Sequence, residues 1–274
     1  MKTPAPKITL AVLIPLFAAL VLATGCQKKT AALAPDLASS DEALYKLGEQ
    51  YVKKDTEKAI LYLRQVIDSF PKSFYAQRAK LLIADAYYRK GDESNLILAA
   101  AEYREFIRTY PYSPSAAYSQ YQIAMTFFRK MLKPGRDPSK TLQALGEFKK
   151  VITDYPGSDQ AKEAQEKIKV CEERLAGHSA EIAIGYYKRR GYKAAISRLT
   201  EIMNTYPNFT GLDRVYFYLG DCYFMINLFD QAFPFFTKVV TDYPGRKTAK
   251  TAASRLAEIE KRKAAAAAAK DKKS

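Results

Sequence analysis

A single imidazole, His178, is available for proton transfer in the 274-residue chain, and no serine or cysteine near it falls in a nucleophile motif. Acyl-transfer chemistry therefore has no parts to draw on. Together with three cysteines, one histidine cannot build the usual zinc cage unless carboxylates supply most of the ligands, so no metal or other cofactor is expected. Gly185 and Gly191 stand alone, as packing and turn residues of a helical hairpin, and no glycine-rich phosphate loop is present. Cys171 and Cys222 read either as buried thiols packing as small hydrophobes or as a disulfide. What the chain has in quantity is Tyr (20), Phe (14) and Lys plus Arg (44). Those side chains bind by ring packing and charge-assisted hydrogen bonds, so recognition is expected and catalysis is not.

The formal net charge of +15 would point to nucleic acid in a cytosolic protein. The amino terminus argues otherwise. Lys2 and Lys7 precede an uncharged apolar run from Ile8 to Leu22, closed by Ala23-Thr24-Gly25-Cys26, the pattern of a secretory signal. The run is shorter than the roughly 20 residues that span a bilayer as a helix. Small residues ahead of Cys26 resemble a bacterial lipobox, with Ala23 where leucine is usual. That resemblance implies a signal peptide at 1–25, acylation of Cys26 and, with Gln27 next, transfer to the outer membrane. The alternative is an ordinary signal in which Cys26 is incidental. Each buried methylene adds ~0.8 kcal/mol, so several acyl chains would hold a soluble domain at a membrane. Residues 26–40, small and Pro-containing, read as a lipidated tether.

From Asp41 onward an aromatic-Pro pair recurs: Phe70-Pro71, Tyr110-Pro111, Tyr155-Pro156, Tyr206-Pro207 and Tyr243-Pro244, with prolines 40, 45, 51 and 37 residues apart. A period of that size indicates a repeat array. Each proline stops a helix, because it lacks the N–H and drives the residue before it out of the α region. The apolar spacing ahead of each, such as Ala195, Leu199 and Ile202, makes that helix the second of a hairpin. The fifth unit resembles the tetratricopeptide pattern at Tyr216, Leu219-Gly220, Tyr223, Phe229, Ala232, Phe236, Val239 and Pro244. The expected fold is all-α, a tetratricopeptide-repeat superhelix of about five helical hairpins plus a capping helix. Residues 41–157 would form an N-terminal lobe with repeats 1–3, and Lys133 to Pro138 an inserted surface loop. Residues 158–263 would form a C-terminal lobe with a bridging helix, repeats 4–5 and a capping helix. The Ala/Lys segment 264–274 would prolong that helix or fray into a basic tail.

Stacked hairpins line a concave groove with their first helices. In the N-terminal lobe the groove positions include Tyr45, Arg78, Tyr88, Arg89, Tyr118, Tyr121, Phe128 and Arg129. This aromatic and basic set suits an extended peptide ending in an aromatic residue, with arginine on the terminal carboxylate. The alternative is that these side chains pack between repeats or stay solvated.

The stretch from Arg136 to Pro207 carries the most specific likeness. It includes Arg136-Asp137-Pro138, Glu147-Phe148, Tyr155-Pro156-Gly157-Ser158, Arg174-Leu175-Ala176, Tyr186-Tyr187-Lys188-Arg189-Arg190-Gly191 and Ala194-Ala195-Ile196-Ser197-Arg198. With the anchor and the five hairpins, it resembles the BamD family, the tetratricopeptide lipoproteins of the β-barrel assembly machinery, over about residues 20–250. The resemblance implies a non-enzymatic role at the periplasmic face of the outer membrane, in which unfolded outer-membrane proteins are recognised and passed to the barrel-forming assembly protein. It implies partners in that protein's POTRA domains and in other assembly lipoproteins, and an ion pair at Arg198, whose alternative is a solvated helix-face charge. The other reading is an envelope scaffold lipoprotein of the pilus-secretin or Tol-Pal/cell-division coordinating type.

Overall fold

The computed structural model describes residues 40–271, and the signal, Cys26 and most of the tether lie outside them. Those residues form eleven helices: α1 (Asp41–Tyr51), α2 (Thr56–Ser69), α3 (Phe74–Lys90), α4 (Glu93–Thr109), α5 (Ala116–Phe128), α6 (Ser139–Asp154), α7 (Asp159–Lys188), α8 (Tyr192–Thr205), α9 (Leu212–Met225), α10 (Phe229–Asp242) and α11 (Lys247–Asp271). Consecutive helices pair as antiparallel hairpins, α1/α2 through α9/α10, with α11 packed on the last. No described helix is long and apolar enough to cross a membrane.

The aromatic-Pro pairs do what their chemistry requires. Phe70, Tyr110, Tyr155, Tyr206 and Tyr243 are the C-caps of α2, α4, α6, α8 and α10, all with φ between −128° and −135°. Each cap N–H still donates to the carbonyl four residues back, and the proline that follows cannot continue the series. Starts are set by short oxygen-bearing side chains: Ser40, Asp55, Ser73, Asp92 and Ser158 each accept from a backbone N–H in the first turn of the helix they open.

Helices of a pair cross where one side has almost no side chain. A Cβ on Gly48 would lie 2.6 Å from Leu63, and one on Gly220 would lie 3.0 Å from the Phe236 ring. Around these crossings the core runs as successive clusters, each shared by neighbouring hairpins. Ala84, Ala99 and Tyr103 meet Ile123 of the next hairpin, and Leu199 and Ile202 meet Val215 and Leu219. That is how a repeat unable to bury its own apolar face becomes stable.

The long interval before the fourth unit is one 30-residue helix, α7. Its first half buries Ala164 and Cys171 against Tyr121 and Phe148 of the third hairpin, and its second half buries Ala180 and Ala183 against α8 and α9. The inserted loop leans on it. Arg174 donates to the Leu132 carbonyl, and a Cβ on Gly177 would meet Pro134 at 3.2 Å. Cys171 and Cys222 are buried free thiols, and Cys171 lies 3.8 Å from the Met131 sulfur. At the other end, α11 runs past the expected limit at residue 263 to Asp271. Six consecutive alanines, the best helix formers, carry it on.

Helix α11 is held by polar contacts that sequence reading did not foresee. The Arg255 guanidinium lies 2.9 Å from the carboxylate of Asp221, which is 2% exposed, and covers the Phe224 ring at 4.4 Å. Tyr187 donates to the other Asp221 oxygen, and Thr248 donates to buried Asp213 at 2.8 Å. Removing one partner of a buried pair leaves an uncompensated charge. Arg255→Ala is expected to lose about 3 kcal/mol in urea denaturation. Adding Asp221→Asn should recover part of that loss, and additive losses would contradict the pairing.

Candidate functional site

The first two hairpins and the start of the third enclose a groove of 450 Å³ lined by Tyr45, Phe74, Arg78, Asp85, Phe106 and Ser113 among others. The helix spacing places Tyr45 on α1 opposite Arg78 on α3. The Arg78 guanidinium sits 4.8 Å from the Tyr45 ring and 5.7 Å from that of Phe74, which is 68% exposed. Tyr45 is itself buried and packs on Tyr75 at 5.4 Å. Aromatic wall and cation are thus joined in one unit, with the cation free to reach a ligand.

Asp85 lies at the groove's inner edge. The hydroxyls of Tyr103 on α4 and Tyr118 on α5 both donate to its Oδ1, at 2.5 and 2.9 Å. Desolvation outweighs these donors and holds the Asp85 carboxyl above its ordinary range. The same burial, with the carboxylate beside them, pushes the phenols of Tyr103 and Tyr118 up.

The remaining expected groove residues divide. Arg129 covers the Tyr88 ring at 4.8 Å and donates to the Tyr88 carbonyl at 2.8 Å, closing the end of α3. Gly91 follows in the left-handed region, φ +74°, and a Cβ there would strike that guanidinium. Arg89 is exposed on the same end of α3. Tyr121 and Phe128 are turned to the core, 5.6 and 5.8 Å from the Phe148 ring. Burial and neighbouring Glu163 raise the Tyr121 phenol to about 12. Tyr45 and Arg78 therefore line one groove, Tyr118 reaches it only through its hydrogen bond to Asp85, Tyr88 and Arg129 make a separate stack, and Tyr121 with Phe128 serves packing.

Arg198 lies far along the chain on α8, exposed, with its guanidinium 5.0 Å from the Tyr186 ring. It borders a hollow of 140 Å³ with Ile182, Glu201 and Tyr206. A larger cleft of 580 Å³ adjoins it through Thr205 and Tyr206, walled by Val170 and Glu173 of α7 and by Pro207 and Phe209. Thr210 fixes that wall by donating its N–H to Glu173 at 3.1 Å. Sequence reading missed this cleft because it lies between a helix face and a loop about 35 residues later.

Two position-equivalent aspartates were also not singled out as a pair. Ala84-Asp85-Ala86 and Gly220-Asp221-Cys222 put an acid beside the small crossing residue of a first helix, and in both cases tyrosine hydroxyls satisfy it. The pattern small-Asp-small was the available signal.

The YfiO family model, described as outer membrane lipoprotein, matches residues 37–223, and a tetratricopeptide repeat model matches residues 214–246. The outer membrane protein assembly factor BamD of Caulobacter vibrioides is 29% identical over 192 residues, 70% of this chain and 62% of that protein. The match thus spans less than two thirds of that relative's length. The protein of the same name from Rickettsia prowazekii is 26% identical over 228 residues, 81% of this chain and 87% of that one. Among solved structures, the complex of the TPR2AB domain of yeast Sti1 with an HSP90 peptide is similar at a TM-score of 0.44 and 16% identity, covering 81% of this chain and 83% of that one.

Because the native state holds the Asp85 proton more tightly than the unfolded chain does, the associated stability is complete below pH 3.8 and is lost as pH rises through the raised value. Asp85→Asn removes that slope. Urea midpoints of wild type minus those of the Asn variant should therefore fall as pH is raised from below 3.8 to 7, and a flat difference would contradict the assignment.

Proposed function

The chain belongs to the YfiO family of outer membrane lipoproteins, and on that premise we propose that it works in the outer membrane as a non-enzymatic assembly factor of the BamD kind, taking part in recognition, assembly and insertion of β-barrel proteins. The observation that carries this reading is the family match across residues 37–223, which takes in the groove and Arg198. Cys26, outside the described residues, is the proposed acylation site that holds the folded array at the periplasmic face.

The N-terminal groove is the client site in this reading. An extended segment ending in an aromatic residue lays that ring on the exposed Phe74 and its terminal carboxylate on Arg78, which the buried Tyr45 ring backs at 4.8 Å. Asp85, with both tyrosine hydroxyls turned to it, favours an N–H donor from the same segment over a second carboxylate. The C-terminal hairpins dock on the POTRA domains of the barrel-forming protein through Arg198, whose guanidinium makes no ion pair among the described residues and so is available to an acidic partner. Other assembly lipoproteins complete the set of partners.

Arg78→Glu should weaken binding of a peptide matching the last strand of a client barrel by about tenfold in fluorescence anisotropy, with an unchanged melting temperature; equal affinity would remove the groove from the reading. Cys26→Ser should move the protein from the membrane pellet to the soluble fraction on cell fractionation, and continued sedimentation with membranes would count against the anchor.

A further inference from the structure

Tyr186, near the end of α7, carries two guanidiniums on one ring. Arg198 of α8 lies 5.0 Å from its centroid, and Arg189, one residue past α7, lies 5.3 Å from it. Arg189 reaches the ring by folding back over its own helix, past Gly185, where a Cβ would stand 3.7 Å from its Nη2. Both arginines are exposed, and neither pairs with a carboxylate among the described residues. Glu201 borders the Arg198 hollow without forming an ion pair with it. Lys188, Arg190 and Lys193 extend the same positive field. The turn that delivers Arg189 is also strained. Arg190, not the adjacent Gly191, takes the left-handed conformation, φ +62°. That conformation is disfavoured for any residue with a Cβ.

Two like charges held near one ring repel each other, and neither has a carboxylate partner among the described residues. A bound anion would relieve that repulsion. We infer that Tyr186, Arg189 and Arg198 form one composite receptor for a polypeptide segment bearing two carboxylates, and that Tyr186 is a positioning residue that holds both guanidiniums ready. The inference rests on the reading of Arg198 as a partner contact and adds a second cation and its platform. Two pre-placed guanidiniums select a paired-acid segment over a single acid, because each unmatched cation forgoes its charge-assisted bond. Ile182, 36% exposed beside the Arg198 hollow, offers an apolar seat for a neighbouring side chain of the same segment.

The test measures affinity of the full mature protein for the purified POTRA fragment of the cognate barrel protein by interferometry, with Arg198→Glu, Arg189→Ala, Tyr186→Leu and Tyr186→Phe. Arg198→Glu should abolish binding. Arg189→Ala and Tyr186→Leu should each weaken it about tenfold and flatten its salt dependence, while Tyr186→Phe, which keeps the ring, stays near wild type. If Arg189→Ala and Tyr186→Leu bind like wild type while Arg198→Glu fails, the composite receptor is overturned and the Arg198 contact stands. If Arg198→Glu also binds normally, the underlying partner reading falls. If Arg189→Ala leaves POTRA binding intact but lowers retention on phosphatidylglycerol vesicles, the site belongs to lipid and the inference is equally overturned. Should Tyr186→Phe lose binding along with Tyr186→Leu, the ring is not the platform.

Discussion

One helix sets the direction of everything that follows it. Because α7 is continuous for 30 residues, the core of hairpin three and the core of hairpin four are built on the same rod, and its small residues allow close packing on both. A proline in its middle would have left a joint. Instead Arg174 grips the Leu132 carbonyl and Gly177 admits Pro134, so the inserted loop braces the middle of the rod from outside. The groove near Tyr45 and the exposed arginine at 198 are thereby held in a fixed register along one chain.

The array handles its charges in two ways. Asp85 and Asp221 occupy equivalent places beside a helix crossing, and both are satisfied from neighbouring helices by tyrosine hydroxyls, with Arg255 added at the second. These acids tie adjacent repeats together, as each draws on a residue outside its own hairpin. The cations are treated oppositely. Arg78, Arg129, Arg189 and Arg198 lie over rings and keep their outer edges to solvent. A guanidinium on a ring gives up little hydration and retains its fork of donors, so such surfaces stay soluble while remaining ready for anions.

Hairpin count, helix ends and the all-helical class were readable in the sequence because they depend on local chemistry. A proline behind an aromatic residue terminates a helix whatever surrounds it, and all five did. The bridging helix was readable because residues 158–175 are charged and Ala-rich with no proline or glycine. Side-chain direction was less legible. Tyr121 and Phe128 fall at groove positions by register, yet the bulk of Phe148 and the arrival of α7 give both a partner inside, so they turn to the core. Registers assign a face of a helix, and whether a large ring on that face finds a neighbour depends on helices remote in sequence. The Asp221–Arg255 contact was invisible for the same reason, being made across 34 residues by an end helix whose docking angle no local pattern specifies.

The two sealed thiols carry a consequence for biogenesis. Burial raises both Cys171 and Cys222 to about 12, so almost none of either sulfur is thiolate at neutral pH, and neither can attack a mixed disulfide. Once the hairpins close, both thiols are sealed from thiol–disulfide exchange with solvent partners.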